Sequence, residues 1–368
     1  MPRYTDLVAS LPSTVPFVGP ETQERARGEA FIARIGANEN VFGPSPKVID
    51  VMASCAHEIW RYADPENFDL KNALAKHHEI PDQNIMVGEG IDSLLGLLVR
   101  MLVAPGDPVV TSAGAYPTFN FHVTGFGGEL ITVPFKDDHE DIDALVAAAV
   151  KVQAKIVYLA NPDNPMGTSH SAERVQNMMS KIPEGTVLCL DEAYGEFAPD
   201  GTLPAIDVSD KRVIRMRTFS KAYGMAGARI GYAMGHRDII NSFNKIRNHF
   251  GMNRSGQIAA LAALQDQDWL QTTIEKVRAA NQRITKIALA NGLKPLPSVT
   301  NFVTIDCGHG ADFAKALVAA LGELGIFVRM PFVAPQNRCI RISAGTDAQL
   351  DAFEAALPKA LALLSRQT

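Results

Sequence analysis

Short apolar runs and longer amphipathic stretches alternate along most of this chain. Apolar runs bounded by glycine, proline or asparagine read as strands, and apolar positions three and four apart read as helices. Helical periodicity follows the GPSP turn at 43–46 and lasts to about residue 80. IMVGEGIDSLLGLLVRMLV, residues 85–103, gives a strand, a glycine turn and a helix. PGDPVVTSAGAYPTF gives a turn, a short strand and a loop. Between 130 and 159 the order is strand, helix (DIDALVAAAVKVQ) and strand (KIVYLA), followed by the loop NPDNPMGT and another helix. TVLCLDEAY, VIRMRTF and RIGYAMG are three further strands. Such alternation with short connections predicts a doubly wound α/β layer with a mostly parallel sheet. In such sheets ligands gather at the carboxyl ends of the strands.

The second part of the chain reads differently. From about 237 the pattern is helical to 290, with the alanine-rich GQIAALAALQ inside it. VTNFVTIDC, the helix ADFAKALVAALGELG, IFVRM and RCIRISAG then predict a small α+β domain closed by a final helix. The expected organisation is an N-terminal segment over 1–35 packed on the small domain, a large domain over 36–240 and a small domain over 241–368.

Composition narrows the function. A length of 368 residues suits two lobes with their own cores. The net charge of −5 argues against a general nucleic-acid binder. Cys55, Cys189, Cys307 and Cys339 are far apart, so neither a disulfide frame nor a zinc site is expected. The nine histidines form no HExxH, and no bound metal is expected. The first thirty residues lack the basic start and apolar centre of a signal peptide. No apolar run approaches the ~18 residues of a membrane span. A cytoplasmic location is expected.

Candidate chemistry centres on TFSKAYGMAGARIGYAMG, residues 218–235. Lys221 reads either as a surface lysine or as an amine that condenses with a carbonyl, which requires partial desolvation to lower its pKa. Ser220 and Arg229 beside it suit an anion, since the guanidinium fork donates bidentate bonds to a phosphate. Asp191, ending an apolar strand, reads as a helix cap, a magnesium ligand or the partner of a protonated pyridine nitrogen. Tyr194 follows three residues later. Asn161 follows the strand KIVYLA, in what is otherwise a proline-rich turn. GEGID (88–92) is a glycine turn opening a helix, where backbone N–H groups attract anions. Tyr116 can stack on a flat ring or fill a core.

Taken in order, ANEN–FGPSP, RYADP, VGEGID, AYPTF, NPDNPMGT, DEAYGEF, TFSKAYGMAGARIGY, NFV and RISAG run along nearly the whole chain. Together they resemble the fold-type-I pyridoxal-phosphate enzymes of the aspartate aminotransferase superfamily, and within it the histidinol-phosphate aminotransferase branch. The resemblance implies an aspartate-aminotransferase-like fold, with a mostly parallel mixed seven-stranded sheet in the large domain. It implies pyridoxal 5′-phosphate as cofactor and Lys221 as the residue bonded to it, which also moves the substrate proton. Asp191 then pairs with the pyridine nitrogen, Asn161 and Tyr194 bond the ring hydroxyl, and Tyr116 stacks on the ring. Ser220, Arg229 and the backbone of Gly90, Ile91 and Asp92 hold the phosphate, with Thr218 assisting. Tyr62 reaches the phosphate of a neighbouring subunit, which implies a homodimer. Arg341 takes a substrate carboxylate or equivalent anion, Asn38 and Asn40 line the same mouth, and Arg329 is associated with substrate phosphate. The implied activity is ping-pong transamination with 2-oxoglutarate as acceptor.

Four positions depart from that pattern. Phe17 stands where relatives carry a phosphate-gripping tyrosine, Val41 where many have proline, Ile91 where a small polar residue is usual, and Arg254 where many have a small or apolar one. The amino donor is therefore open between histidinol phosphate and an aromatic or other amino acid. A decarboxylase resembling threonine-phosphate decarboxylase shares the cofactor residues and is a second reading. A non-catalytic regulator on the same domain is a third, but residues before 30 leave no room for a DNA-binding module.

Overall fold

The computed structural model describes residues 2–13 and 18–365. Its largest sheet has seven strands in the order Ile85–Gly88, Gly231–Gly235, Val213–Thr218, Val187–Asp191, Ile156–Ala160, Pro108–Ser112, Glu129–Val133. Only Gly231–Gly235 runs antiparallel to its neighbours, so the sheet is mixed but mostly parallel. The central strands are buried on both faces, which explains their near-continuous apolar sequences. Alternation along IVYLA divides the core in two. Tyr158 and Ala160 join Leu94, Leu95, Leu98 and Val99 of helix Gly90–Leu102 on one face. Val157 and Leu159 join Leu145, Ala149, Val175 and Met178 on the other. Helices therefore cover both faces of the sheet.

The registers bring several strand ends to one edge. Gly231 lies opposite both Gly88 and Thr218, Met216 opposite Asp191, and Asp191 opposite Ala160. The glycine turn, the lysine segment, the acidic strand end and the NPDNPMGT loop thus leave the sheet side by side.

A three-stranded antiparallel sheet, Cys339–Ser343, Phe302–Asp306 and Lys294–Pro295, forms the smaller layer, with helices Ala311–Glu323, Asp347–Ser365 and Gln267–Ala290 packed around it. Ala33–Arg34 pairs in parallel with Ile326–Phe327. Two bonds tie this layer to the loop after Ala160. The Thr304 hydroxyl donates to the Pro165 carbonyl at 2.6 Å, and the Val299 N–H donates to the Gly167 carbonyl at 3.0 Å. Arg338 bridges Asp138 at 2.9 Å and Asp306 at 2.8 Å.

One expectation is corrected. The helical pattern from 237 to 290 is three helices, Arg237–Phe243, Arg254–Leu264 and Gln267–Ala290. The break has a local cause: Gly251 passes so close to the Glu89 carboxylate that a Cβ would collide with it. Asn253 then caps the next helix by accepting from the Gly256 N–H. The apolar spacing spans the break because both sides pack on the same core. Among the described residues no helix is long and apolar enough to cross a membrane.

Candidate active site

A pocket of about 400 Å³ opens at the shared sheet edge, lined among others by Asp191, Tyr194, Lys221, Arg229 and Arg341. Asp191 forms its floor and is 5% exposed. One carboxylate oxygen accepts from the Tyr158 hydroxyl at 2.7 Å and the other from the Ala193 N–H at 2.9 Å. Burial pushes this carboxyl up to about 6, and the two donors hold it from rising further. It remains mostly ionised at neutral pH, and among the described residues both its oxygens accept from neutral donors.

Lys221 stands over this floor. Its Nζ donates to the Asn38 carbonyl at 3.2 Å and lies 5.7 Å from the centre of the Tyr194 ring. Desolvation first, then the nearby charges of Arg341 and Arg229, bring its amine down to about 8. Free amine is therefore available near neutral pH, as a nucleophile and proton carrier require. Tyr194 is buried, and its oxygen accepts from the Asn38 carboxamide at 2.9 Å, leaving its own proton to donate into the pocket.

At one end the groups form a cup for an anion. Ile91 and Asp92, in the first turn of helix Gly90–Leu102, line the pocket with Thr218, Ser220 and Arg229. Arg229 Nη1 donates to Ser220 Oγ at 3.2 Å and to the Ala226 carbonyl at 2.9 Å. Thr218 Oγ1 accepts from the Ser220 N–H at 3.0 Å and donates to Ser220 Oγ at 2.9 Å, which fixes the serine. Gly90 has φ +79°, and a Cβ there would collide with the Arg229 guanidinium, so only glycine lets helix and arginine converge. Tyr116, also lining the pocket, donates its hydroxyl to Asp92 Oδ1 at 2.7 Å, which anchors the ring.

Arg341, Arg329, Met330, Pro331 and Phe332 line the opposite side with Asn38. Arg341 donates to the Asn164 carbonyl oxygen, its Nε is buried without a partner, and burial lowers its pKa to about 10. Arg329 Nη2 donates to the Val18 carbonyl at 3.0 Å. This donor set fits a flat ring bearing a cationic nitrogen over Asp191, a carbonyl near Lys221 and a phosphate in the cup. The orphaned Arg341 Nε points to a second anion.

Two sequence expectations need correction. Asn161 is not at the pocket. Its N–H continues the ladder by donating to the Asp191 carbonyl at 2.9 Å, so alternation turns its side chain away from the face of Ala160. The carboxamide accepts from the His170 N–H at 2.8 Å and donates to the His170 and Thr202 carbonyls, both at 3.2 Å. Asn164, three residues on, is the one that lines the pocket. Asn40 does not line the mouth either. It donates to the backbone carbonyls of Lys221 at 3.1 Å and Ala222 at 3.0 Å, clamping the lysine turn from behind. Arg254 is ion-paired to Glu58, with Nε at 3.0 Å, and is not among the lining residues.

Tyr62 lies outside this pocket, 78% exposed, with its ring 4.8 Å from that of Phe250. Phe17 lies outside the described residues. Sequence reading missed Asn164 and Tyr158. The first was visible in NPDNP as a second asparagine. The second was visible as the one hydroxyl in an otherwise apolar strand.

The family model for aminotransferase class I and II matches residues 32–357. This chain belongs to the class I and II aminotransferases. Among curated relatives, "Histidinol-phosphate aminotransferase 2" of Ralstonia nicotianae is 33% identical, over 98% of this chain and 97% of its own. "Histidinol-phosphate aminotransferase 1" of Idiomarina loihiensis is also 33% identical, over 91% of each chain. Among solved structures, the histidinol-phosphate aminotransferase of Sinorhizobium meliloti, a complex with pyridoxal-5′-phosphate, superposes with a TM-score of 0.97. It is 54% identical and covers 99% of both chains. The aminotransferase fold is therefore the aspartate-aminotransferase-like, fold-type-I arrangement.

Proposed function

We propose that this aminotransferase uses pyridoxal 5′-phosphate to move an amino group from histidinol phosphate to 2-oxoglutarate by a ping-pong route. The observation that carries the reading is the convergence of Lys221, Asp191 and the Ser220–Arg229 cup in one pocket. The donor is supported by the shared name of the relatives and by the 54% identical structure.

When bound, the cofactor supplies an aldehyde for amines and an electron sink conjugated to it. The protein supplies the rest. Lys221 Nζ, poised near its titration point, would hold the cofactor through its aldehyde carbon and, as a free amine, would take up the proton leaving the substrate α-carbon. Asp191 would hold a ring nitrogen in its cationic form. Tyr194 and Asn164 would orient the ring oxygen, and Tyr116 would cover a ring face. Ser220, Arg229 and the helix start at Gly90 would hold the phosphate. Arg341 and Arg329 take the second anion, which is the substrate phosphate in one half-reaction and the acceptor carboxylate in the other.

Tyr62 acts in a homodimer in this reading. Ile59, Trp60, Tyr62, Phe68 and Phe250 are all exposed apolar side chains. A second copy covering them brings Tyr62 to its neighbour's cofactor phosphate.

Purified protein given histidinol phosphate and 2-oxoglutarate should form glutamate, with parallel double-reciprocal lines. Phenylalanine and tyrosine should be poorer donors. Carbon dioxide released from phenylalanine, tyrosine or another amino acid, with no keto acid formed, would overturn transamination in favour of decarboxylation.

A further inference from the structure

The pyridine-binding carboxylate in this chain has an attendant of its own. Tyr158 sits in the middle of strand Ile156–Ala160, with no exposed surface. Its ring stacks on Phe119 at 4.6 Å and 17°. Phe119 belongs to helix Pro117–Gly125, which starts directly after Tyr116. This sandwich fixes the phenol so that its hydroxyl meets Asp191 Oδ2 at 2.7 Å. The registers make that meeting unavoidable. Tyr158 lies opposite Cys189 and Ala160 opposite Asp191, so Tyr158 and Asp191 share one face of the sheet. The other oxygen is held by the Ala193 N–H at 2.9 Å.

We propose that Tyr158 is a positioning residue for the cofactor: its O–H, donated from the strand next to Asp191, keeps that carboxylate oriented and ionised towards the ring nitrogen. The inference rests on the pyridoxal-phosphate reading above. Two neutral donors, one on each oxygen, leave the carboxylate plane no freedom to rotate. A buried carboxylate that loses a donor is pushed towards its protonated form, because desolvation already opposes the charge. Asp92, Glu192 and Glu140 add further repulsion, with Cys189, Tyr116 and Tyr194 the other titratable groups bearing on it. None of the groups acting most strongly on it is a cation, so the Tyr158 bond is the main side-chain contact favouring the anion.

The test compares two hydroxyl deletions in one sheet. Tyr158→Phe keeps the stacked ring and removes only the donor. Tyr232→Phe removes an equally buried hydroxyl, which bonds His78 Nε2 at 2.9 Å in place of any bond to Asp191. Both are made as full chains and titrated with pyridoxal phosphate at pH 7.5. Tyr158→Phe should raise the cofactor dissociation constant at least about tenfold, as loss of a hydrogen bond to a charged group does. It should also lower kcat while leaving the KM for the amino donor unchanged. Tyr232→Phe should leave the dissociation constant within about twofold. An unchanged constant in Tyr158→Phe, or equal changes in both variants, would overturn the proposal. Wild-type protein that takes up no pyridoxal phosphate overturns the functional reading, and this inference with it.

Discussion

Asp191 and Glu192 are neighbours at one strand end, and the fold treats their carboxylates in opposite ways. Glu192 is fully buried and fully matched. Its oxygens accept from Arg215 Nη2 at 2.5 Å and Arg217 Nε at 2.9 Å, and Arg215 also donates to the Ala205 carbonyl at 2.9 Å. Asp191 is nearly as buried but receives only neutral donors. Lys221 is similar, donating to the Asn38 backbone carbonyl at 3.2 Å. The first cluster meets its carboxylate with two guanidinium groups, and Glu196 lies 3.9 Å from Arg217 as a second carboxylate. The second leaves a carboxylate and an amine unbalanced beside a cavity. Charges matched inside the protein hold structure, while charges left unmatched at a cavity await a ligand.

The largest effect expected from breaking this contrast is at Lys221. Lys221→Met removes the amine at nearly constant length and should lower turnover by about 10⁴-fold or more. The fold should persist, because no ion pair is lost. Turnover near the wild-type level would refute the assignment. Glu192→Ala should act in the opposite sense. It strands two buried guanidinium groups and should destabilise the protein by about 3–5 kcal/mol in denaturant melts. A loss below about 1 kcal/mol would mean that the cluster contributes little more than a surface pair.

Asp191→Asn sharpens the comparison further. The carboxyl titrates at about 6 in the folded chain against 3.8 when free, so its ionised form is disfavoured by folding. The sign follows: this group's contribution to stability falls as pH rises from 3.8 to about 6 and stays unfavourable above. Asp191→Asn should therefore stabilise the cofactor-free protein, by on the order of 1–3 kcal/mol at pH 7. Cofactor affinity should drop at the same time. A variant that loses both stability and affinity would place Asp191 with Glu192 as a structural charge.

A smaller effect concerns pH. Lys221 is brought down from 10.5 to about 8, so below that its charged form is disfavoured in the folded chain, and stability rises as pH goes from 8 to 10.5. The rate of cofactor uptake by the empty protein should climb with pH and level off above about 8. A flat profile between pH 6 and 9 would contradict a nucleophilic amine brought down to about 8.

The contrast also shows what the sequence could and could not say. The strand-helix alternation was legible because the buried central strands are written as continuous apolar runs, and the cofactor set because its motifs keep their order. The choice between Asn161 and Asn164 was not legible. Both stand in NPDNP, and only the ladder bond from Asn161 to Asp191 decides which side chain turns away. Asn40 was misplaced for a similar reason, since a buried carboxamide serves a backbone as readily as a ligand. The pairing of Glu192 with Arg215 and Arg217 lies across two strands, where sequence shows three charges in apolar runs but not their meeting. The break at 244–253 was hidden because the close approach of Gly251 to the Glu89 carboxylate joins residues far apart in the chain.

The central claim is that Lys221 is the unbalanced amine that bonds the cofactor. Protein loaded with pyridoxal phosphate, reduced with borohydride and digested, tests it most directly by mass spectrometry of the peptides. The account predicts one cofactor-derived adduct, on the peptide containing Lys221. An adduct on another lysine, or none, would contradict it.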